Sequence, residues 1–160
     1  MKYIAILSVL VLIVTLVGVG YLYMTANIVV EAVGVIATEA AGQEALFNDL
    51  KTQLRLNAVI GTPYVEPREL TGPEDYQFLT YTVRLRNNST VPADMVELQI
   101  TPMAGDILQI GSFDNVKLPA GQTVDATATI LTGKNMHAIR EVCITYYIWG
   151  VPFTMKTTVK

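Results

Sequence analysis

The first pattern along the chain is an unbroken apolar segment, which runs from Tyr3 to Met24 without a charged side chain. As an α-helix this segment spans about 33 Å at 1.5 Å per residue, and the hydrocarbon core of a bilayer is about 30 Å thick. Tyr3 at one end, with Tyr21 and Tyr23 at the other, fits the aromatic belts that flank membrane spans. The pattern predicts a transmembrane helix that contacts the lipid bilayer through residues 3–24.

A cleaved signal peptide is the alternative for this segment, because its basic start at Lys2 also suits such a peptide. The apolar stretch of a signal peptide is about 7–15 residues long, and this segment is longer. A cut after Ala26 would place Met24 where a small residue is expected. We therefore favour an uncleaved anchor. Since Lys2 precedes the span and the acidic Glu31 and Glu39 follow it, we expect a cytoplasmic N-terminus and an extracytoplasmic remainder at the cell membrane.

The pattern changes twice behind the span. The segment NIVVEAVGVIAT is rich in β-branched residues and predicts a strand with Val29, Val33 and Val35 on one face. The next segment, EAAGQEALFNDLKTQL, has the period of a helix, near residues 42–55. We expect this helix to cover the core of the domain with one apolar stripe. The stripe consists of Leu46, Phe47, Leu50 and Leu54.

Strand patterns follow one another from Tyr76 onward, after a loop rich in Pro, Gly and acidic residues. In YQFLTYTVRLRN, apolar residues alternate with Thr and Arg, which is typical of a strand with one buried face. Further strands are predicted in MVELQITP, DILQIGSF, TVDATATIL, IREVCITYYIW and VPFTMKTTV, and the last two flank a tight turn at Gly150. Several short strands with frequent turns predict a mainly β fold, an antiparallel β-sandwich with one short helix.

These patterns divide the chain into two expected parts. Residues 1–26 form a cytoplasmic stub and a transmembrane anchor. Residues 27–160 form an extracytoplasmic β-sandwich domain, with the helical insertion near 42–55.

Charge and composition narrow the classes of function. The chain has 11 Lys and Arg against 14 Asp and Glu, a net charge of −3, and no cluster of basic residues. Because nucleic-acid phosphates need clustered positive charge, a nucleic acid is not an expected partner. Cys143 is the only cysteine, so no internal disulfide can form, and we expect a small buried apolar side chain there. Together with the single His137 it cannot supply the three or four ligands of a zinc site.

The sequence also lacks a catalytic constellation, so we predict a protein that is not an enzyme and that has no cofactor and no metal. His137 and Cys143 would lie about 20 Å apart along one strand, too far for the contact that a nucleophile and its base require. Calcium needs six to eight oxygens, and the loop acids are too sparse to supply them, so we expect these acids to be solvated. They are Glu74, Asp75, Asp106 and Asp114.

The arginines of the predicted strands have a similar interpretation. Arg84, Arg86 and Arg140 are expected to share an exposed face and to pair there with Glu97 or Glu141. Such a group of charges is usually a solvated surface.

One aromatic cluster is the candidate surface for a partner or ligand. The segment YYIWG is expected to place Tyr147 and Trp149 on one side of a strand and Tyr146 on the other, with Phe153 across the turn. Exposed Tyr and Trp are enriched at binding surfaces, whereas a buried Trp149 would close the end of the sandwich. The candidate surface therefore consists of Tyr147, Trp149 and Phe153.

Two segments, VRLRNNSTVPADMVELQI and VKLPAGQTVDATATI, resemble the immunoglobulin-like sandwich modules of cell-surface proteins, a group that includes CARDB-type adhesion modules. In that group a strand ends at an Asn beside a small turn, and a later Pro-x-Gly turn introduces another strand. Asn87 or Asn88, and Pro119 to Gly121, match those positions. The resemblance implies an immunoglobulin-like β-sandwich, and the layout is similar to that of membrane-anchored surface proteins of bacteria. A shared fold does not imply a shared reaction.

Three hypotheses for the function follow. The first is a membrane-tethered structural or protein-interaction module at the cell surface, with a protein partner. The second is a module that binds a glycan, peptide or lipid at the aromatic edge near Trp149. The third is a pilin-like filament subunit, which is less well supported because Glu31 follows the whole apolar run, whereas pilins carry a Glu at the start of the helix.

Overall fold

The computed structural model describes residues 2–65, 69–111 and 116–159. Within these ranges the helices are α1 (Lys2–Met24) and α2 (Glu44–Arg55), with short 3-10 helices at Ala40–Gln43 and Pro73–Asp75. The strands are β1 (Ile28–Glu39), β2 (Gly61–Pro63), β3 (Tyr76–Asn87), β4 (Ala93–Ile100), β5 (Asp106–Ile110), β6 (Val116–Leu118), β7 (Thr123–Gly133), β8 (Arg140–Ile148) and β9 (Val151–Val159).

The strands of the described part of the chain form two antiparallel sheets that face each other as a β-sandwich. One sheet has five strands in the order β1-β3-β7-β5-β2, and the other has four in the order β6-β4-β8-β9. The predicted mainly β fold with one short helix is confirmed. The pattern does not predict β2 and β6, because three residues are too few to show an alternation. The strand expected in residues 106–113 ends at Ile110, and its last predicted residues, Ser112 and Phe113, lie outside the described ranges.

The main core lies between the two sheets, as the alternation in β3 predicts. Leu79, Tyr81, Val83 and Leu85 are buried there against β4, β7 and β8. Full burial of an apolar side chain of this size contributes about 1.5–3 kcal/mol to stability. The hydroxyl of Tyr81 donates a hydrogen bond of 2.8 Å to the carbonyl of Ala138, and burial raises the pKa of Tyr81 to about 12.

A second, smaller core lies on the outer face of the five-stranded sheet. There α2 buries Phe47, Leu50 and Leu54 against Phe78 of β3 and its neighbours on β5 and β7. The helix therefore covers a core with its apolar stripe as expected, and this core lies on the outside of one sheet and not in the interior of the sandwich. Leu46, the fourth member of the expected stripe, is 37% exposed and does not belong to this core.

Strand β1 is an edge strand with a bulge at Glu31. Its neighbours Val30 and Ala32 pair with consecutive residues of β3, so Glu31 is an extra residue in β1. Because side chains alternate along a strand, one extra residue moves the following side chains to the other face. Val29 pairs opposite the outward-facing Arg86, while Val33 and Val35 pair opposite the inward-facing residues of β3. The expectation that these three valines share one face is therefore wrong.

A buried polar pair joins the two sheets beside β4. Gln109 of β5 accepts a hydrogen bond from the backbone amide of Ile100 (2.9 Å) and donates one to the carbonyl of Leu98 (2.7 Å). The hydroxyl of Tyr64 shares its one proton between the side-chain oxygen of Gln109 (2.8 Å) and the carbonyl of Ile100 (2.9 Å). Since every buried polar atom needs a partner, these bonds satisfy the end of β4 where the short β6 does not reach.

The sandwich has two ends, which differ in their connections. At one end β1 begins opposite the last residue of β3, and the turns that join β3 to β4, β6 to β7 and β8 to β9 lie there. We name it the proximal end, because α1 enters the domain there. At the opposite end, the distal end, lie the 3-10 helix Ala40–Gln43, the start of β5 and the start of β8.

Candidate functional site

Helix α1 is the most unusual feature of the described residues. Its segment Lys2–Tyr21 is long and apolar enough to cross a bilayer, with a mean hydropathy of 2.7 and none of it buried in the protein. By length and composition, such a helix suits either a membrane anchor or a signal sequence near the N-terminus. The hydroxyl groups of Ser8 and Thr15 donate hydrogen bonds to backbone carbonyls four residues earlier in the same helix.

The junction between α1 and the sandwich is short. Only Thr25, Ala26 and Asn27 separate the helix from β1, and the carbonyl of Asn27 accepts a 2.8 Å hydrogen bond from the amide of Asn88. The ring of Tyr23 contacts the ring of Phe153 at a centroid distance of 4.8 Å. The last turn of α1 therefore meets the beginning of β9 at the proximal end.

The structure separates the three aromatic residues of the candidate surface. Phe153 lies on the inner side of β9, stacked on the buried Tyr146 at 5.4 Å, and Tyr147 points to the opposite side of β8. Burial is the main cause that raises the pKa of Tyr146. The sequence pattern predicts Trp149 in a strand, but the residue lies in the turn between β8 and β9. There it is 56% exposed and does not close the core.

The β8–β9 turn holds Trp149 in an unusual backbone conformation. Its two central residues are Trp149, with φ of 51°, and Gly150, with φ of 79°. A two-residue hairpin turn with both φ values positive favours Asn, Asp or Gly at both positions. A bulky side chain in this region is a strained outlier. Because the indole is exposed, its burial in the domain does not offset this strain.

Asn87 organises the turns of the proximal end. Its side-chain amide donates to the carbonyls of Val91 (2.8 Å) and Leu118 (3.1 Å), and its side-chain oxygen accepts from the amide and hydroxyl of Ser89. Its backbone carbonyl accepts a 2.9 Å bond from the amide of Gly121. The residue that ends β3 thus ties the β3–β4 turn to the Pro-Ala-Gly turn, the two places on which the sequence resemblance rests.

A buried ion pair lies at the distal end, where the arginine pattern predicts none. Arg140 forms two bonds with Asp106, of 3.0 and 2.8 Å, and the two side chains are 1% and 0% exposed. Arg140 also donates to the carbonyls of His137 (2.6 Å) and Ile139 (2.8 Å), and Asp106 accepts from the amide of Met103 (2.8 Å). All of these atoms converge where β8 and β5 begin.

Protonation of this pair follows from its contacts. Burial alone would raise the pKa of Asp106, but the bonds from Arg140, Met103 and Thr132 hold that pKa below its ordinary value. The bond to Asp106 is the main cause that raises the pKa of Arg140. Both groups are therefore charged at neutral pH.

The pair corrects two expectations. Arg140 does not share an exposed face with Arg84 and Arg86, which pair at the surface with Asp125 and Glu31. Asp106 was expected to be a solvated loop acid, and it is buried instead. Asp114, for which the same was expected, lies outside the described residues.

Other polar side chains do not assemble into a reactive site within the described ranges. No three of His, Cys, Asp and Glu come together there in a way that could hold a metal ion. Cys143 is half-buried on β8 between Gln99 and Lys156 of the neighbouring strands, which differs from the buried position expected of it. A cleft of about 470 Å³ lies between α2 and Leu70. Its polar lining mixes both charges, with Lys51, Arg55 and Glu69 at the surface.

Comparison with known proteins adds little to this description. No protein-family model and no curated protein matches the sequence. Among solved structures, the chain is similar to the GAE domain of yeast GGA1, with 14% sequence identity and a TM-score of 0.37. That match covers 56% of this chain and 94% of the other.

Proposed function

We propose that the chain is a non-enzymatic, single-pass membrane protein whose β-sandwich acts as a structural or protein-interaction module at the cell surface. Residues 1–26 are the stub and anchor, and residues 27–160 are an immunoglobulin-like domain outside the cytoplasm. The observation that carries the proposal is the segment Lys2–Tyr21 of α1, which has a mean hydropathy of 2.7 and no buried residue.

The energetics of α1 support an anchor. Each Leu, Ile or Val side chain that leaves water gains about 1.5–3 kcal/mol, so a whole exposed apolar helix gains tens of kcal/mol from a lipid environment. The exposed Tyr3 at one end and Tyr21 at the other suit the two membrane interfaces. Lys2 on the short N-terminal side favours a cytoplasmic N-terminus.

A protein-interaction role is supported by the free edge of β1. This strand spans Ile28–Glu39 and pairs only with β3 among the described strands, so its other side leaves backbone N–H and C=O groups unpaired. Long edge strands of this kind are templates for an additional strand. Ile36, near the far end of β1, is 67% exposed. We propose that an extended segment of a partner protein adds to this edge.

Alkaline extraction of membranes tests the anchor. The wild-type chain should remain in the membrane pellet, while a variant with Leu10→Arg and Val14→Arg in the middle of α1 should be released, because arginine at the centre of a span costs about 2.5–3.5 kcal/mol per residue. Release of the wild-type chain would rule out the anchored protein.

Site-specific photocrosslinking in intact cells tests the β1 edge. A photoreactive residue at position 36 should give a discrete adduct, whereas one at Leu56, which is 66% exposed and lies after α2, should not. Equal adduct formation at both positions, or recovery of uncrosslinked monomer alone, would contradict an interaction through β1.

A second candidate function is supported by Trp149. Its exposed indole in a strained turn, with Tyr147 outward on the neighbouring strand, is the arrangement of an aromatic platform for a glycan, peptide or lipid. Phe153, the third member of the proposed surface, would support this platform from the inner side of β9. Titration of Trp149 emission with such ligands tests the platform, and a spectrum that stays unchanged would exclude it.

A further inference from the structure

The connections at the proximal end share one chemical property, the absence of charge. They are the junction 25–27 and the turns at 88–92, 119–122 and 149–150. None of their residues is Asp, Glu, Lys, Arg or His. The nearest charged residues on the adjoining strands lie one or two positions inside β3, β4, β6 and β7, and they are Arg86, Asp94, Lys117 and Asp125. An uncharged end can approach a low-dielectric surface without stripping water from ions.

The junction keeps this end close to α1. Four peptide steps from Met24 to Ile28 span at most about 14 Å even when fully extended, so the end of the helix cannot leave the proximal end by more than that distance. The contact between Tyr23 and Phe153, at 4.8 Å, places the two much closer. If the helix ends at the bilayer surface, the proximal end lies there as well.

The β8–β9 turn extends beyond that contact. Gly150 precedes Phe153 by three residues along β9, which is about 10 Å at 3.3 Å per residue. The turn therefore reaches about 10 Å further toward the proximal side than the ring that contacts Tyr23. Trp149 at its tip is 56% exposed, and Val151 beside it is exposed too. The turn thus presents two apolar side chains to whatever faces the proximal end.

We infer that the proximal end rests on the bilayer and that Trp149 inserts into its headgroup region. Tryptophan is enriched in this region because its ring is apolar and its indole N–H can bond to polar groups. A strained backbone conformation at an exposed aromatic residue indicates a constraint other than the stability of the domain, and contact with the lipid interface supplies one. Trp149 and α1 then fix the domain at two points, which limits its tilt relative to the membrane. The inference rests on the proposed anchor.

Depth-dependent quenching of Trp149 tests the inference, because the chain has one tryptophan. The full-length protein is reconstituted into phosphatidylcholine vesicles whose lipids carry bromine either high or low on the acyl chain, with iodide on both sides as the aqueous quencher. The expected result is a blue-shifted emission, strongest quenching by the shallow bromines and weak quenching by iodide.

A matched control moves the tryptophan to the distal end. The variant Trp149→Phe with Ile139→Trp places it at a position that is 53% exposed, and circular dichroism verifies that it folds as the wild type does. Its emission should be unshifted, quenched by iodide and insensitive to bromine. Equal iodide quenching of Trp149 and of this control would overturn the inference.

Flotation of the same vesicles separates the two proposals. If the protein floats with the vesicles and Trp149 still behaves like the distal control, the anchor stands and the contact of the turn with lipid is wrong. If the protein does not float, the anchor fails, and the inference fails with it.

Discussion

Removing one partner of the buried Arg140–Asp106 pair should destabilise the domain strongly. In Asp106→Ala, two N–H groups of Arg140 and the amide of Met103 lose their acceptor. A buried donor without a partner costs about 1–3 kcal/mol, and breaking a buried ion pair costs about 3–5 kcal/mol. We expect a loss near 4 kcal/mol, since Arg140 keeps its bonds to two backbone carbonyls. This is a large share of the roughly 5–15 kcal/mol that stabilises a domain.

The double variant Asp106→Leu with Arg140→Met separates the cost of an unpaired charge from the value of the pair. Replacing both partners with apolar side chains of similar size is often nearly neutral, so the double variant should lose less than either single variant. Asp125→Asn, at an exposed ion pair with Arg84, is the matched surface control and should leave the unfolding midpoint almost unchanged.

Urea unfolding of the full chain in detergent, followed by far-ultraviolet circular dichroism, measures these losses. The strand signal is the better reporter, because Trp149 is exposed on the domain and its emission would report contact with detergent as well as unfolding. If Asp106→Ala unfolds at the midpoint of Asp125→Asn, the account of a buried, stabilising pair is wrong.

The same pair gives stability a defined pH dependence. Its contacts hold the pKa of Asp106 below the ordinary value of 3.8, so the unfolded chain takes up this proton at a higher pH than the folded one. The stabilisation is complete above about pH 5 and is lost as the pH falls through 3.8 toward the folded pKa. Asp106→Asn should remove this part of the acid dependence.

The remaining predictions concern single side chains, each measured by the same unfolding assay. Trp149→Asn should stabilise the domain by about 0.5–1 kcal/mol, because Asn tolerates a positive φ, and an unchanged midpoint would argue against strain in the turn. Asn87→Ala should cost about 2–4 kcal/mol, since it leaves several buried groups without partners, whereas the exposed Asn88→Ala should cost little. Phe47→Ala should cost about 3–5 kcal/mol as a large-to-small change in a core, and Leu46→Ala far less; equal losses would contradict the position of α2.

Patterns that depend on local sequence alone, a continuous apolar run or a strict alternation, could be predicted from the sequence. The apolar run of α1 and the alternation of β3 each depend on local side-chain sequence, and both elements form as expected. The turn at Gly150 follows from glycine's tolerance of a positive φ. The sequence narrowed the turn residue to Asn87 or Asn88, because asparagine bonds to the backbone of turns, and the structure shows that Asn87 makes these bonds.

Features that depend on residues distant in sequence could not be predicted. Asp106 and Arg140 are 34 positions apart, and nothing in either segment distinguishes a buried charge from a solvated one. The extra residue at Glu31 shifts the face of the valines that follow it, and a bulge leaves no composition signal in a Val-rich strand. Trp149 follows the alternation of β8, which suggests a strand, but the chain reverses one residue earlier.

Whether α1 holds the mature domain at the membrane is tested most directly by one combined measurement. Intact cells are treated with a protease, and the intact mass of the protein from untreated membranes is determined. If α1 is an uncleaved anchor, the chain is membrane-bound and retains residues 2–24, and the external protease removes the domain. A freely dissolved mature chain that begins after residue 20, or a domain that external protease cannot reach, would contradict this prediction.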